Sequence, residues 1–159
     1  MPDQTLIMLV TEVRNKTLKL IEGFSHDDAM GVAPGMQNSI LYHAGHGVAV
    51  QEFLGVARIE KREPKLPAGF EAFMWKTEPG KTVTWPSIDV VRHELTTQRD
   101  KLKSLLEAMN ESESASRLDE IVNPERGTTL RYSILHGLHD EANHQGEIWL
   151  IRKLLGLRS

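Results

Sequence analysis

From Leu130 to Leu155, steps of four and three residues pass through Ile134, Gly137, Glu141, His144, Ile148 and Ile151. That spacing is one face of a long α-helix, and its two ends are apolar, as the inward face of a helical bundle must be. Its middle is not apolar. Glu141 and His144 stand on the line, and Asp140 lies one turn before His144. A carboxylate at that depth is costly unless it is paired or binds a metal ion. Asp140 and His144 form an i,i+4 pair, with Cβ atoms roughly 5–6 Å apart. Both side chains can therefore reach one ion at about 2.0–2.2 Å. Taken alone, the spacing serves a hydrogen-bonded Asp–His pair on a solvated face more often than a metal. The apolar residues on both sides of this polar island shift the balance towards a metal.

Three earlier segments share the helical period. The first starts at Asp3, a plausible N-cap, carries Leu6, Val10, Val13, Leu20 and Phe24, and ends near Gly23 before the polar Ser25-His26-Asp27-Asp28. The second is expected from about Met36 to Leu54, stopping at Gly55. The third follows Trp85-Pro86 with Ser87 as cap and runs through Ile88, Val91, Leu95, Leu102, Leu105 and Met109. The fourth opens at Thr128 or Thr129 and closes at Gly156. Some thirty residues separate the second helix from the third, longer than most structureless loops in a compact domain and often a sign of function. They hold Pro64, Pro67, Pro79, Pro86, Trp75 and Trp85. Phe70, Phe73, Met74 and Trp75 are candidates for a pocket wall, although simple packing over the bundle end accounts for each. Glu111-Ser112-Glu113-Ser114 reads as a polar linker, and Leu118 to Val122 as a short extended or helical piece. The expected fold is all-α: a four-helix bundle with a long crossover between helices 2 and 3, in which not all neighbours are antiparallel. Residues 1–159 make a single domain, long enough to bury a core without covalent staples.

The chain has no cysteine, so disulfides, thiolate nucleophiles and thiolate ligands are all excluded, and a metal site must use nitrogen and oxygen. A net charge of -3, without a basic run, gives no face for a phosphate backbone, and nucleic acid is not an expected partner. No apolar stretch reaches the length of a membrane span, and no signal peptide is evident. A cytoplasmic protein is expected.

One helix face cannot enclose an ion, so a third ligand must come from elsewhere. The second segment, Ile40-Leu41-Tyr42-His43-Ala44-Gly45-His46-Gly47-Val48-Ala49, offers two histidines among small residues that would let a neighbouring backbone approach. His43 and His46 project about 60° apart, and periodicity alone does not choose between them. Glu141-Ala142-Asn143-His144 also spells the Glu-x-x-His element of dinuclear carboxylate sites. Such sites need a second copy of the element, and the chain has none, so a dinuclear centre is not expected.

The two polar stretches resemble the DinB-like superfamily of bundle metalloproteins. Tyr42-His43-Ala44-Gly45-His46, after Asn38-Ser39-Ile40, is similar to that family's aromatic-x-x-small-His element. His139-Asp140-Glu141-Ala142-Asn143-His144-Gln145-Gly146-Glu147-Ile148, followed by Leu154-Leu155-Gly156, is similar to its His-x-x-x-His-x-Gly-Gln/Glu-Ile ending. The resemblance implies a metal site of His46, Asp140 and His144. Many members have His where this chain has Asp140, which leaves the displaced His139 as the alternative ligand. Two histidines and a carboxylate suit zinc or nickel, and also iron or manganese. The resemblance further implies a small-molecule substrate and a metal-dependent enzyme that transfers a low-molecular-weight thiol to an electrophile, since the sulfur need not come from the protein. The competing expectations are a metal-dependent hydrolase and a non-catalytic bundle that binds a metal or a small molecule or uses a face to form a homodimer. In either enzyme, Glu141, Glu147 or His43 would accept a proton or orient a ligand.

Overall fold

The structure, a computed structural model, describes residues 2–74, 84–109 and 116–157. Trp75, Pro79 and the linker Glu111–Ser114 lie outside the described residues. Helix α1 spans Gln4–Leu20, with the Asp3 carboxylate accepting from the Leu6 N–H at 3.0 Å. A five-residue helix, α2, covers His26–Met30. It arises because Ser25 and Asp28 form a reciprocal capping box, in a stretch whose polarity alone reads as a connection. Helix α3 spans Ile40–Gln51 and begins where Ser39 caps the Tyr42 N–H, four residues later than the periodicity suggests. Gly55 does not end it. The chain passes through a π-helical turn at Glu52–Val56 into α4, Ala57–Ile59. A Cβ on Gly55 would lie 2.9 Å from the Gln51 side chain, so this glycine permits close packing rather than a stop. After a 3₁₀ turn at Phe70–Phe73 comes α5, Ile88–Glu107, capped by Ser87. A small hairpin pairs β1, Ile121–Asn123, antiparallel with β2, Thr128–Thr129. Thr129 caps α6, Leu130–Leu154, and Gly156 follows it with φ +68°.

Helices α1, α3, α5 and α6 form the bundle. Both α1 and α3 pack against α5 and α6, which places α1 and α3 on one diagonal. At one end Arg131 pairs with Asp3, and at the other Arg152 donates to the Leu20 carbonyl, so α1 and α6 run parallel. Ile40 of α3 and Ile88 of α5 share a cluster with Ile21, Ile148 and Ile151, so α3 and α5 run the other way. The long crossover returns the chain to the end where α3 began, and that is why these two helices are parallel.

The core is split along the bundle axis. One apolar cluster gathers Ile21, Leu41, Phe70, Phe73, Val91 and Ile148; a second gathers Leu6, Val10, Val56, Leu102, Leu118 and Ile134. Between them lies a polar layer in which Arg14, Thr17, His43, His46, Gln98, Glu141 and Gln145 are all buried. Every bundle helix contributes to that layer. Among the described residues, no helix is long and apolar enough to cross a membrane.

Candidate metal centre

The polar layer contains two carboxylates that are chain neighbours and face different surroundings. Successive residues of a helix are rotated by 100°, so Asp140 and Glu141 diverge. Glu141 points into the core. Its Oε1 accepts from the Thr17 hydroxyl at 2.6 Å, and its Oε2 lies 3.2 Å from Arg14 Nη2. Arg14 is itself held by the Gln98 side-chain oxygen at 3.1 Å and the Gly47 carbonyl at 3.4 Å. Gln145 completes this network by donating to Val13 O and Thr17 Oγ1.

Asp140 points towards α3. Its Oδ2 is 3.5 Å from His46 Nε2 and 3.5 Å from His144 Nε2, and one donor atom from each of the three residues fits within a 4.8 Å group. Among the described residues these three form the one such group able to hold a metal ion. His139 is exposed and outside it, so the carboxylate and not the displaced histidine faces His46.

Contacts on the far side of each imidazole bear on where its proton sits. His46 Nδ1 lies 2.5 Å from the Phe73 carbonyl, which only accepts, so Nδ1 carries the proton and Nε2 keeps its lone pair. His144 Nδ1 lies 2.7 Å from His43 Nδ1. Burial, reinforced by the charges of His144 and His46, lowers the His43 pKa to about 4, so His43 is neutral near pH 7. In the tautomer where His144 Nδ1–H donates to His43 Nδ1, His144 Nε2 is also a lone pair aimed at Asp140. Both ring orientations then suit metal ligation, each fixed by an acceptor behind the ring.

Asp140 Oδ2 is buried and has no hydrogen-bond partner, a costly state that a bound cation would relieve. Burial pushes the Asp140 carboxyl up, but the neighbouring His46 and His144 rings outweigh it and hold it below the usual range. The donor set therefore fits one divalent ion. The Asp140 side chain is 34% exposed and that of His144 19%, so the group opens to solvent on one side.

Two glycines make this geometry possible. A Cβ at Gly45 would sit 2.4 Å from the Phe73 ring, so only glycine lets Phe73 come close enough for its carbonyl to reach His46. A Cβ at Gly47 would stand 3.3 Å from the Glu141 side chain. The close approach that these small residues allow is thus to side chains, not to a neighbouring backbone. Tyr42 stacks on His46 with ring centroids 5.7 Å apart, and Trp85 packs edge-on to Tyr42 and against Phe73. The Phe73 carbonyl and the Tyr42 cover were missed as parts of the site. A main-chain acceptor leaves no mark in a sequence, and Tyr42 stood out only as part of a motif. Of the pocket-wall candidates, Phe70 and Phe73 are core residues and Met74 is half-buried. Glu147 is half-buried two turns beyond Asp140, outside the three-residue group.

A family model of the DinB superfamily matches residues 9–148. The chain belongs to the DinB superfamily. This DinB-superfamily chain also shares its fold with a conserved protein from Enterococcus faecalis of solved structure, with a TM-score of 0.70 at 13% identity over 97% of both chains. None of the curated proteins matches it.

Proposed function

We propose that the chain is a metal-dependent enzyme that transfers a low-molecular-weight thiol to an electrophilic small molecule. The observation carrying this reading is the group of His46, Asp140 and His144, in which Nε2 of each histidine faces Asp140 Oδ2 at 3.5 Å. Zinc or nickel suits two imidazoles and one carboxylate best, with iron or manganese next. Such an ion would supply positive charge that lowers the pKa of a thiol. The protein has no cysteine, so the sulfur belongs to a cosubstrate.

The chain's own residues supply position and proton handling. Asp140 and the two histidines would hold the ion, and the solvent-facing side of the group would be left for the reactants. Tyr42 covers His46 and excludes water from its flat face. The Phe73 carbonyl and His43 hold the Nδ1 protons of the two ligands. His43 is therefore an orienting residue, and Glu141, occupied by Arg14 and Thr17, is a structural one. Glu147 is the carboxylate left to take a proton from the incoming thiol.

The test is metal analysis of protein purified without an affinity tag, followed by conjugation assays with several thiols and electrophiles. One equivalent of divalent metal and thiol-dependent turnover are expected. Turnover that proceeds equally well without thiol would move the assignment to hydrolysis.

A further inference from the structure

One helical turn before Asp140, the face of α6 that holds the metal ligands runs into a cavity of about 600 Å³ between α6, the π turn and the hairpin. Arg58, Arg126, Thr128, Tyr132, Ser133 and His136 are among its wall residues. Among the described residues, no acidic side chain lines it. Two guanidinium groups in a concave wall without a carboxylate are a site for an anion.

Neither arginine is consumed by the fold. Arg126 has no ion pair or side-chain hydrogen bond among the described residues. Arg58 uses Nη1 on the Val122 carbonyl at 2.9 Å, but its Nε is buried without a partner. Hydroxyls stand beside them: Ser133 donates to the Leu54 carbonyl at 2.7 Å and keeps its acceptor capacity. Gln51, wholly buried, lies close to Gly55 and Gly137, the chain neighbours of lining residues Leu54 and His136, and both its amide atoms lack partners. His136 stacks on Tyr132, rings 5.9 Å apart, and stands one turn from Asp140, linking the cavity to the metal centre.

We propose that this cavity seats the acid end of the substrate, a small molecule bearing a carboxylate or a phosphate held by Arg58 and Arg126. Seven residues separate Ser133 from Asp140, so the acid group and the reacting atom are about 10 Å apart along the helix. The substrate class is therefore an elongated anion several bonds long. This assignment rests on reading the metal centre as the place of reaction, but the anion site is testable without it.

The experiment is calorimetric titration of the full chain, zinc-loaded and metal-free, with glutarate, glycerol 3-phosphate and the neutral dimethyl glutarate. Saturable binding of at least one anion is expected, and none of the diester; the stronger of the two anions identifies the acid group. Arg126→Gln should weaken that anion by about tenfold or more, the loss of one charge-assisted contact. Arg58→Gln should do the same, and because it also loses the Val122 bond, Arg126→Gln is the deciding variant. His46→Ala should abolish zinc binding yet leave anion affinity within about twofold, since its site is separate. Anion binding that survives Arg126→Gln but vanishes in His46→Ala would place the anion on the metal and overturn the proposal, as would no saturable binding. Zinc-free protein that still binds the anion, in a chain found unable to hold any metal, would sink the enzymatic reading and leave the cavity's assignment standing.

Discussion

Asp140 and Glu141 are adjacent acids on one helix, yet the bundle treats them in opposite ways. Glu141 is locked to Arg14 and Thr17 in the centre of the core, with its charge compensated. One oxygen of each acid, Glu141 Oε2 and Asp140 Oδ2, makes no hydrogen bond, but Glu141 has the fixed charge of Arg14 beside it whereas Asp140 faces only the imidazoles of His46 and His144 at 3.5 Å. A paired buried charge is a structural element whose removal is felt by the whole fold. An acid left short of partners is a local cost that the fold tolerates for what it binds. Polarity at core depth therefore does not mark function; the partner inventory does.

The sharpest way to break this comparison is to unpair Glu141. Arg14→Met should destabilise the metal-free protein by about 3–5 kcal/mol, because it strands a charge in the core. Adding Glu141→Leu should restore much of that loss. Asp140→Asn in the same urea-unfolding assay should shift stability by no more than about 1 kcal/mol. If Asp140→Asn proved as damaging as Arg14→Met, the two acids would share one structural role.

Metal affinity should show the reverse order. His46→Ala, His144→Ala and Asp140→Asn should each weaken zinc binding by about a thousandfold or more, of order 4 kcal/mol per ligand lost. The Arg14→Met/Glu141→Leu double variant should bind zinc like the parent. Chelation should leave the helical circular dichroism intact, since two apolar clusters fill the bundle without help from the site. Collapse of the helices on chelation would make the ion a structural rivet.

Much of this arrangement was legible in the sequence because helical period and short caps are local. Asp3, Ser87 and Thr129 act as caps where the residue types suggested. Asp140 and His144 share a face by spacing alone. What escaped was set by three-dimensional contact. Gly55 looked like a terminator, but it makes room for Gln51 inside a π turn. Leu106 rather than Leu105 is buried on α5, and Gln98 fills the gap in its stripe by bonding Arg14 and the Val48 carbonyl. Nothing in the order of residues shows that Arg14, more than a hundred positions away, claims Glu141. For the same reason, spacing could not separate His43 from His46. The Phe73 carbonyl and the His144 ring make that separation.

A smaller effect sharpens the division between ligand and orienting residue. His43→Ala should weaken zinc binding by about 10–100-fold, the usual consequence of losing a group that orients a ligand. His43→Gln should lose less, because its side-chain oxygen can still accept from His144 Nδ1. Calorimetry on both variants checks this. A loss with His43→Ala as large as that with His46→Ala would make His43 a ligand itself.

The smallest expected effect is the dependence of metal-free stability on pH. An unfolded histidine titrates near 6.5, whereas burial, together with the charges of His144 and His46, lowers folded His43 to about 4. Between those values the unfolded chain binds more protons than the folded one, so stability falls as pH drops from about 6.5 to about 4. The loss stops growing below that window, where both states are protonated. Burial, and then the His46 charge, lower His144 as well, against the opposing pull of Asp140, so it adds to the same slope. The cluster is partly open to solvent, which limits the His43 share to on the order of 1–2 kcal/mol. His43→Gln removes the largest contributor while keeping the hydrogen bond to His144. Unfolding free energies measured across this window should therefore fall less steeply with acid in His43→Gln than in the parent. Equal slopes in parent and His43→Gln would mean that His43 takes up its proton in the folded state, and would undo the tautomer assigned to His144.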